Sequence, residues 1–217
     1  MSSMYAMAVV STLKVTLISF GVSYLLGLPL GVLLYGTASD GIFPNKGLSA
    51  FLDVFVNIIR SIPFIILLVM IQPLAKIVVG TKIGDNAFIF YLIVASFPYV
   101  ARMIESSLRE VDRGVIEAAQ SMGSNNRQIV TKVLIPEAKP SLIVGAAIAI
   151  TTILGYTPMA YLIAGSGLLG QLAIQYGLYR FDSRIMYISS LLLIILVQIM
   201  QVVFNFFAKK TDRRIRR

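Results

Sequence analysis

The chain contains no cysteine, no histidine and no tryptophan. The first two absences exclude disulfides, thiol nucleophiles, histidine-ligated metal sites and Ser-His-Asp catalysis. Charge is also scarce: only 13% of the 217 residues are Asp, Glu, Lys or Arg, against about 25% in a typical soluble domain. Hydrophobic residues, in contrast, make up 57% of the chain. This composition predicts an integral membrane protein.

Five apolar runs are long enough to cross a bilayer, which takes about 20 residues of α-helix. They cover residues 15–38, 51–71, 87–104, 141–164 and 185–208. We expect the first run to be a membrane span and not a signal peptide, because it is too long for a signal-peptide core and only Lys14 precedes it as a basic residue. The sequence therefore predicts an all-α membrane protein with five transmembrane helices, in which residues 1–217 form one transmembrane domain.

The basic residues indicate how these spans are oriented. With the N-terminus outside the cell, thirteen of the nineteen Lys and Arg residues lie in segments on the cytoplasmic side, and five lie in outer segments. Because Lys and Arg favour the cytoplasmic side, we expect an outer N-terminus and a cytoplasmic C-terminus. Six basic residues occupy the last nine positions, directly after an apolar run, where they suit anionic lipid. We expect contact with the lipid bilayer and none with nucleic acid.

One polar stretch, residues 105–139, separates the third span from the fourth and carries five of the ten acidic residues. This polarity predicts that it lies in water. Residues 115–122 favour a helix that stops at Gly123. Ser124 is then expected to cap a second short helix over residues 125–134. Since two helices joined at a glycine have a defined shape, we interpret the stretch as a docking element for another protein.

Four of the five spans contain an internal proline, namely Pro29, Pro63, Pro98 and Pro158. Proline is common in membrane helices, and bent helices also suit a pathway that opens and closes; the sequence leaves both interpretations open. Pro136 is expected to end the second short helix, and Pro140 to begin the fourth span. That span is rich in small residues, which let membrane helices approach closely.

Two sequence motifs bear on whether the chain itself binds a nucleotide. Residues 165–170 match the letters G-x-G-x-x-G, but a dinucleotide site needs a preceding strand, a following helix and an acidic residue about 20 positions later. A membrane helix precedes this segment, so we interpret it as a flexible outer turn. The G-x-x-x-x-G-K-[ST] motif does not occur. If ATP powers transport, another subunit must bind it.

The polar stretch carries the pattern Glu117-Ala118-Ala119-x3-Gly123-x9-Val133-x-Ile135-Pro136. It resembles the E-A-A-x3-G-x9-I-x-L-P loop of permease subunits of binding-protein-dependent ABC importers, with conservative differences at Val133 and Ile135. The chain is also similar to methionine-importer permeases at residues 27–35, 57–68, 101–105 and 165–171. The resemblance thus covers nearly the whole chain. Residues 60–64, R-S-I-P-F, also resemble the permeases of polar amino acids.

The resemblance implies that this loop forms coupling helices that sit in a groove of an ATPase subunit. The coupling residues it implies are Glu117, Ala118, Ala119, Gly123, Val133, Ile135 and Pro136. It implies alternating access through a path between two copies of the chain, lined near its outer end by Tyr156, Thr157, Pro158 and Met159. Met159 is interpreted either as a gate residue or as an ordinary core methionine.

The resemblance also implies the partners and the location. They are a second copy of the chain, two ATP-binding ATPase subunits and an extracytoplasmic methionine-binding protein, often a lipoprotein, at the bacterial inner membrane. The chain itself is expected to hold no catalytic residue, cofactor or metal.

Three alternative functions make different demands on the sequence. A secondary transporter predicts repeated halves or functional charges at mid-membrane, whereas this chain has five unequal spans and one Arg60 near an interface. An intramembrane enzyme needs catalytic acids, histidines or a metal site, for which the spans offer little. Within the importer family, the alternative is a permease for polar amino acids.

Overall fold

The computed structural model describes residues 2–163 and 167–211, and within these ranges it contains helices and no strand. The α-helices are α1 (Ser2–Thr37), α2 (Lys46–Ser61), α3 (Phe64–Met70), α4 (Gln72–Val78), α5 (Gly84–Arg109), α6 (Arg113–Ser121), α7 (Asn126–Gln128), α8 (Ile135–Gly155), α9 (Leu169–Ile174) and α10 (Ser183–Thr211). Two π-helical segments occupy Ile129–Leu134 and Gln175–Tyr179, and a 3-10 helix occupies Thr157–Leu162. The predicted all-α class is confirmed.

Four helical stretches in the described residues are long and apolar enough to cross a membrane. They are Ser3–Thr37, Gly84–Arg109, Asn126–Leu162 and Ser183–Thr211. The pair α2 and α3 meets the same criteria jointly, although the two helices are bent by 102° at a short break. Counted as one broken span, this pair gives the five spans that the sequence predicts.

The second span differs most from its prediction. The sequence suggests one helix over residues 51–71, bent at Pro63, but α2 ends at Ser61 and α3 begins at Phe64. Pro63 lacks the N–H that a continuing helix needs and disfavours helical dihedrals at Ile62, so the helix breaks there. The predicted loop over residues 72–86 also contains the short helix α4.

The other helices extend beyond their apolar runs. α1 begins at Ser2, well before residue 15, and α5 continues to Arg109 instead of ending at residue 104. Hydropathy reports only the part of a helix that fits the hydrocarbon, about 20 residues. Backbone hydrogen bonding continues past that boundary wherever the next residues are good helix formers.

Contacts divide the chain into two compact units, and α1, α5, α8 and α10 contribute residues to both. The first unit comprises Met1–Ser23, Ile62–Ser96 and Ala149–Val202. Its core is a cluster of apolar side chains in which Phe88 and Tyr91 are fully buried. The backbone N–H of Leu169 donates to Thr12 Oγ1 at 3.0 Å, which joins α9 to α1.

The segment predicted as a flexible outer turn lies in this first unit and differs from expectation. Leu168, Leu169 and Gly170 are buried, and α9 starts at Leu169. Gly165 and Ser166 lie outside the described residues. Leucine side chains at two of the four described positions favour burial, and that favours an ordered helix start over an exposed turn.

The second unit comprises Tyr24–Ser61, Phe97–Ile148 and α10 from Val203 onward. Within it, α1 lies directly against α5. A Cβ atom at Gly31 would be 2.7 Å from the carbonyl oxygen of Ala101, so only glycine fits at this crossing. Gly145, Ala146 and Ala147 of α8 are buried, as expected for a stretch of small residues in a membrane helix.

Candidate functional site

The first helix of the polar stretch, α6, has a defined start and end. The Asp112 carboxylate accepts a hydrogen bond from the Gly114 N–H at 2.7 Å and caps the helix N-terminus. At the other end Gly123 has φ +79°. The Gly123 N–H donates to Gln120 O at 2.9 Å and the Ser124 N–H to Ala119 O at 3.1 Å, which is a complete Schellman motif. The predicted stop at Gly123 is confirmed.

The cap of the next helix is one residue later than predicted. Ser124 belongs to the end of α6, where its N–H is used by the Schellman motif, so Asn125 takes the N-cap position. Asn125 Oδ1 accepts from the Gln128 N–H, and Gln128 Oε1 accepts from the Asn125 N–H, both at 2.9 Å. This capping box fixes the direction in which the chain leaves Gly123.

The second short helix does not end before Pro136, contrary to the prediction. Helical structure continues without a break from Asn126 to Gly155, passing both Pro136 and Pro140. Wide π-type turns at Ile129–Leu134 precede the first proline, with the Ile135 N–H donating to Val130 O five residues back. We attribute the continuity to these turns, since proline cannot supply the usual i→i−4 hydrogen bond.

The motif residues divide into an inner and an outer set. Ala119 is only 3% exposed, and α6 packs against the π-helical segment that follows it. Glu117, Ala118, Gly123 and Pro136 are exposed. The apolar residues Val133 and Ile135 are half-buried on either side of the fully buried Leu134. The outer set is open to a partner, while Ala119 holds α6 against its own chain.

An ion-pair chain, which sequence reasoning missed, begins on α2 and α5. Arg102 Nη2 lies 2.5 Å from Asp53 Oδ1, and Arg102 Nη1 lies 2.6 Å from Glu105 Oε2. Glu105 Oε1 in turn accepts from Arg109 Nη2 at 3.0 Å. The Glu105 side chain is 9% exposed, so two guanidinium groups neutralise a nearly buried carboxylate.

The same series of ion pairs continues to α6. Arg109 Nη1 lies 3.2 Å from Asp40 Oδ2, and Arg113 Nη2, in the first turn of α6, lies 2.6 Å from the same oxygen. Partial burial acts to raise the pKa of Asp40, but a backbone hydrogen bond and both arginines oppose it, and the net pKa lies below the usual range. Three acids and three bases thus connect α6 to α5 and α2 and to the turn after α1.

One part of this ion-pair chain could have been found in the sequence. Arg102, Glu105 and Arg109 are spaced i, i+3 and i+7 on a helix, which places them on one face. Asp40 and Asp53 lie on other segments, and no spacing rule connects them to α5. Among the described residues, no group of three His, Cys, Asp or Glu side chains is placed to hold a metal ion.

The four residues expected to line the path lie in the first unit, where α8 ends. The α-helix stops at Gly155, shortly before Pro158, and a 3-10 helix follows. The Tyr156 ring stacks on Phe64 with centroids 4.6 Å apart, and the Thr157 hydroxyl donates to Leu154 O at 2.7 Å. Met159 is half-buried against the apolar core. These residues are brought together in a packed turn of the chain.

Residues 27–217 match the family of binding-protein-dependent transport system inner membrane components. This chain belongs to that family. The match begins within α1 and includes the whole polar stretch, so the loop with the E-A-A pattern is that of a membrane permease. Members of this family are the transmembrane subunits of importers.

Individual relatives within this family are named for methionine transport. The permease is 44% identical to a probable D-methionine transport system permease protein MetI of Vibrio cholerae, over 94% of this chain and 90% of that one. It is 39% identical to the methionine import system permease protein MetP of Bacillus subtilis, over 84% and 82%. A solved inward-facing structure of the MetNI methionine ABC transporter superposes with TM-score 0.94 at 41% identity, covering 97% of each chain.

Proposed function

We propose that this permease is the membrane-spanning subunit of an ATP-driven methionine importer of the bacterial inner membrane. The observation that supports methionine as the substrate is the similarity, over nearly the whole chain, to permeases of two bacteria. Both of these permeases are named for methionine transport. The near-complete superposition on a methionine transporter supports the same substrate. A multi-pass helical chain with a docking loop is what such a subunit requires.

The partners follow from this assignment. The importer contains a second copy of the permease and two ATPase subunits, which hydrolyse ATP in place of this chain. An extracytoplasmic methionine-binding protein delivers the substrate. The bias of basic residues supports an outer N-terminus and a cytoplasmic C-terminus, so the ATPase subunits meet the polar stretch on the cytoplasmic side.

The coupling mechanism uses the geometry of α6. Closure of the ATPase subunits on ATP moves α6, because the helix sits in their groove. The residues assigned to this coupling are Glu117, Ala118, Ala119, Gly123, Val133, Ile135 and Pro136. The ion pairs from Arg113 through Asp40 and Arg109 to Glu105 support transmission of that motion into α5, because a chain of close contacts moves as one body.

The translocation path is proposed to run between the two copies, with an outer gate at Tyr156, Thr157, Pro158 and Met159. At this point the α-helix is replaced by a 3-10 helix, so the span does not continue as one regular helix. This interruption supports a gate here. The binding protein supplies selectivity, so the permease needs no tight substrate site of its own. Alternating access then exposes the path to one side of the membrane at a time.

The test is uptake of labelled methionine by cells that carry or lack the gene, with a panel of unlabelled amino acids as competitors. We expect high-affinity uptake to be lost without the gene, restored by the plasmid-borne gene and competed by methionine alone. Unchanged methionine uptake, together with loss of the uptake of a polar amino acid, would overturn methionine as the substrate. It would favour the alternative suggested by residues 60–64, a permease for polar amino acids. Unchanged uptake of every amino acid would overturn the assignment to amino-acid import and would leave only the proposed docking of an ATPase subunit.

A further inference from the structure

The short helix α4, between α3 and α5, exposes an apolar stripe. On its inner side Ala75 is fully buried, in the same apolar cluster as Phe88. Because successive residues of a helix are rotated by about 100°, Leu74, Ile77 and Val78 fall within one arc of similar width, well away from Ala75. These three side chains are 46%, 81% and 61% exposed, and they form the α4 stripe.

Hydrogen bonds hold the stripe in place. The Ala75 N–H donates to Ile71 O at 2.9 Å, and the Val79 N–H donates to Ala75 O at 2.8 Å. Beyond the helix, the hydroxyl of the fully buried Tyr91 donates to Lys82 O at 3.0 Å. The stripe is therefore a fixed surface, attached to the core of the first unit and to α5.

The position of α4 in the chain places the stripe at a membrane boundary. α3 is the second half of the broken span, and α5 is a span of its own. Residues 71–83 are all that joins these two helices, so they lie where both spans end. An apolar helix face at such a boundary enters the edge of the hydrocarbon while the polar groups stay among the headgroups.

The charges of the first unit favour an anionic surface. Residues 62–84 contain Lys76 and Lys82 and no acidic residue. The other charged residues of the unit are two acids and three bases, namely Asp85, Asp182, Lys14, Arg180 and Arg184. All five bases are exposed, whereas both acids are half-buried. Exposed bases attract anionic lipid, and a lysine can lay its aliphatic stem along apolar surface while its ammonium group reaches a phosphate.

We propose that the α4 stripe is a lipid contact of the permease. Leu74, Ile77 and Val78 enter the edge of the bilayer, and Lys76 and Lys82 bind the phosphates of anionic phospholipid. In the proposed orientation this is the outer leaflet. A protein that docks for only part of a transport cycle would leave the stripe in water for the rest, which is unfavourable for apolar surface, whereas lipid covers it throughout.

The chain has no tryptophan, so one introduced tryptophan reports on one position. Ile77→Trp and Val78→Trp report on the stripe, and Val202→Trp, at a 66% exposed position of α10, is the lipid reference. Each is made in the complete importer, in nanodiscs of equal parts phosphatidylglycerol and phosphatidylcholine. Acyl-chain bromine on one of the two lipids quenches from the bilayer, and acrylamide quenches from water. The fluorescence of the unsubstituted importer is subtracted.

We expect brominated lipid to quench both stripe variants as strongly as it quenches Val202→Trp, and acrylamide to reach them poorly. Brominated phosphatidylglycerol should quench Ile77→Trp about twofold more than brominated phosphatidylcholine does, because the lysines attract the anionic lipid. Changing Lys76 and Lys82 to glutamine should abolish this preference. The matched control changes Lys209 and Lys210 to glutamine, an equal loss of charge at the C-terminal end of α10, and should keep the preference.

Four results would overturn the proposal. Strong quenching by acrylamide with none by brominated lipid would place the stripe in water. Exclusion of both quenchers would assign the stripe to contact with the second copy. Acrylamide quenching that falls when the extracytoplasmic binding protein is added would assign it to that protein. Equal quenching by the two brominated lipids would remove the role of the lysines. Each of these results leaves the proposed function intact, because methionine uptake does not depend on which molecule covers the stripe.

Discussion

The carboxylate of Glu105 lies 2.6 Å from the guanidinium of Arg102, and its side chain is only 9% exposed. The other carboxylate oxygen is held by Arg109 at 3.0 Å. This acid is therefore the point at which the ion pairs of α2 and α5 meet those that lead to α6. Its position explains how α6 is fixed to α2 and α5.

Glu105→Gln should destabilise the permease, because two guanidinium groups lose the charge that they share. We expect a cost on the order of 1–2 kcal/mol, less than for a fully buried pair because solvent screens the partly exposed arginines. The measurement is the thermal unfolding midpoint of the detergent-solubilised complex. Glu110→Gln, the same change at an exposed position on the next turn, is the control and should unfold like the parent protein. Equal midpoints for both variants would contradict the role of Glu105.

Gly31→Ala should also lower the unfolding midpoint. The added methyl group would lie 2.7 Å from Ala101 O and from the Ile104 side chain, so α1 and α5 would have to move apart, at a cost of about 1–3 kcal/mol. Gly21→Ala is the matched control on the same helix, because a Cβ there meets nothing within 4 Å. The control should be neutral or slightly stabilising, since alanine favours helix more than glycine does. A Gly31→Ala midpoint equal to that of the control would show that the crossing has room.

Met159 offers a way to separate gating from packing. Met159→Ala should lower stability by about 1–2 kcal/mol, because the side chain is half-buried against the apolar core. Met159→Leu conserves volume and should keep the unfolding midpoint. A changed methionine uptake rate in the leucine variant at an unchanged midpoint is the result expected of a gate. Parental uptake in that variant would assign Met159 to packing alone.

The parts of the fold that follow from local chemistry could be predicted from the sequence. Gly123 ends α6 because a left-handed residue is needed there. Pro63 indicates where the second span is interrupted, although the sequence predicts a bend in one helix and the structure has a break between two. The continuation through Pro136 could not be predicted, since it depends on π-type turns that accommodate the proline. Ser124 was misassigned as a cap because its competing role in the Schellman motif depends on where α6 ends.

The candidate site was predictable only in part for a related reason. The E-A-A pattern identifies the segment, but it does not tell which alanine faces outward; burial of Ala119 and exposure of Ala118 depend on how α6 packs. The ion pairs of Asp40 and Asp53 join segments that are distant in sequence, and no local pattern indicates them. Contacts between residues that are distant in the sequence can be identified only from the structure.

The central claim is that the shape of α6 and its glycine turn couples ATP hydrolysis to transport. The most direct measurement is methionine uptake per ATP hydrolysed in proteoliposomes of the whole importer, comparing Gly123→Val with Gly123→Asn. Gly123 has φ +79° and open space around it, so a substitution meets backbone strain of about 1–2 kcal/mol and no clash. Asparagine tolerates this conformation and valine does not.

We predict that Gly123→Val assembles with the ATPase subunits and hydrolyses ATP but loses most uptake per ATP, while Gly123→Asn stays close to the parent ratio. A parental ratio of uptake to hydrolysis in an assembled Gly123→Val importer would contradict the account.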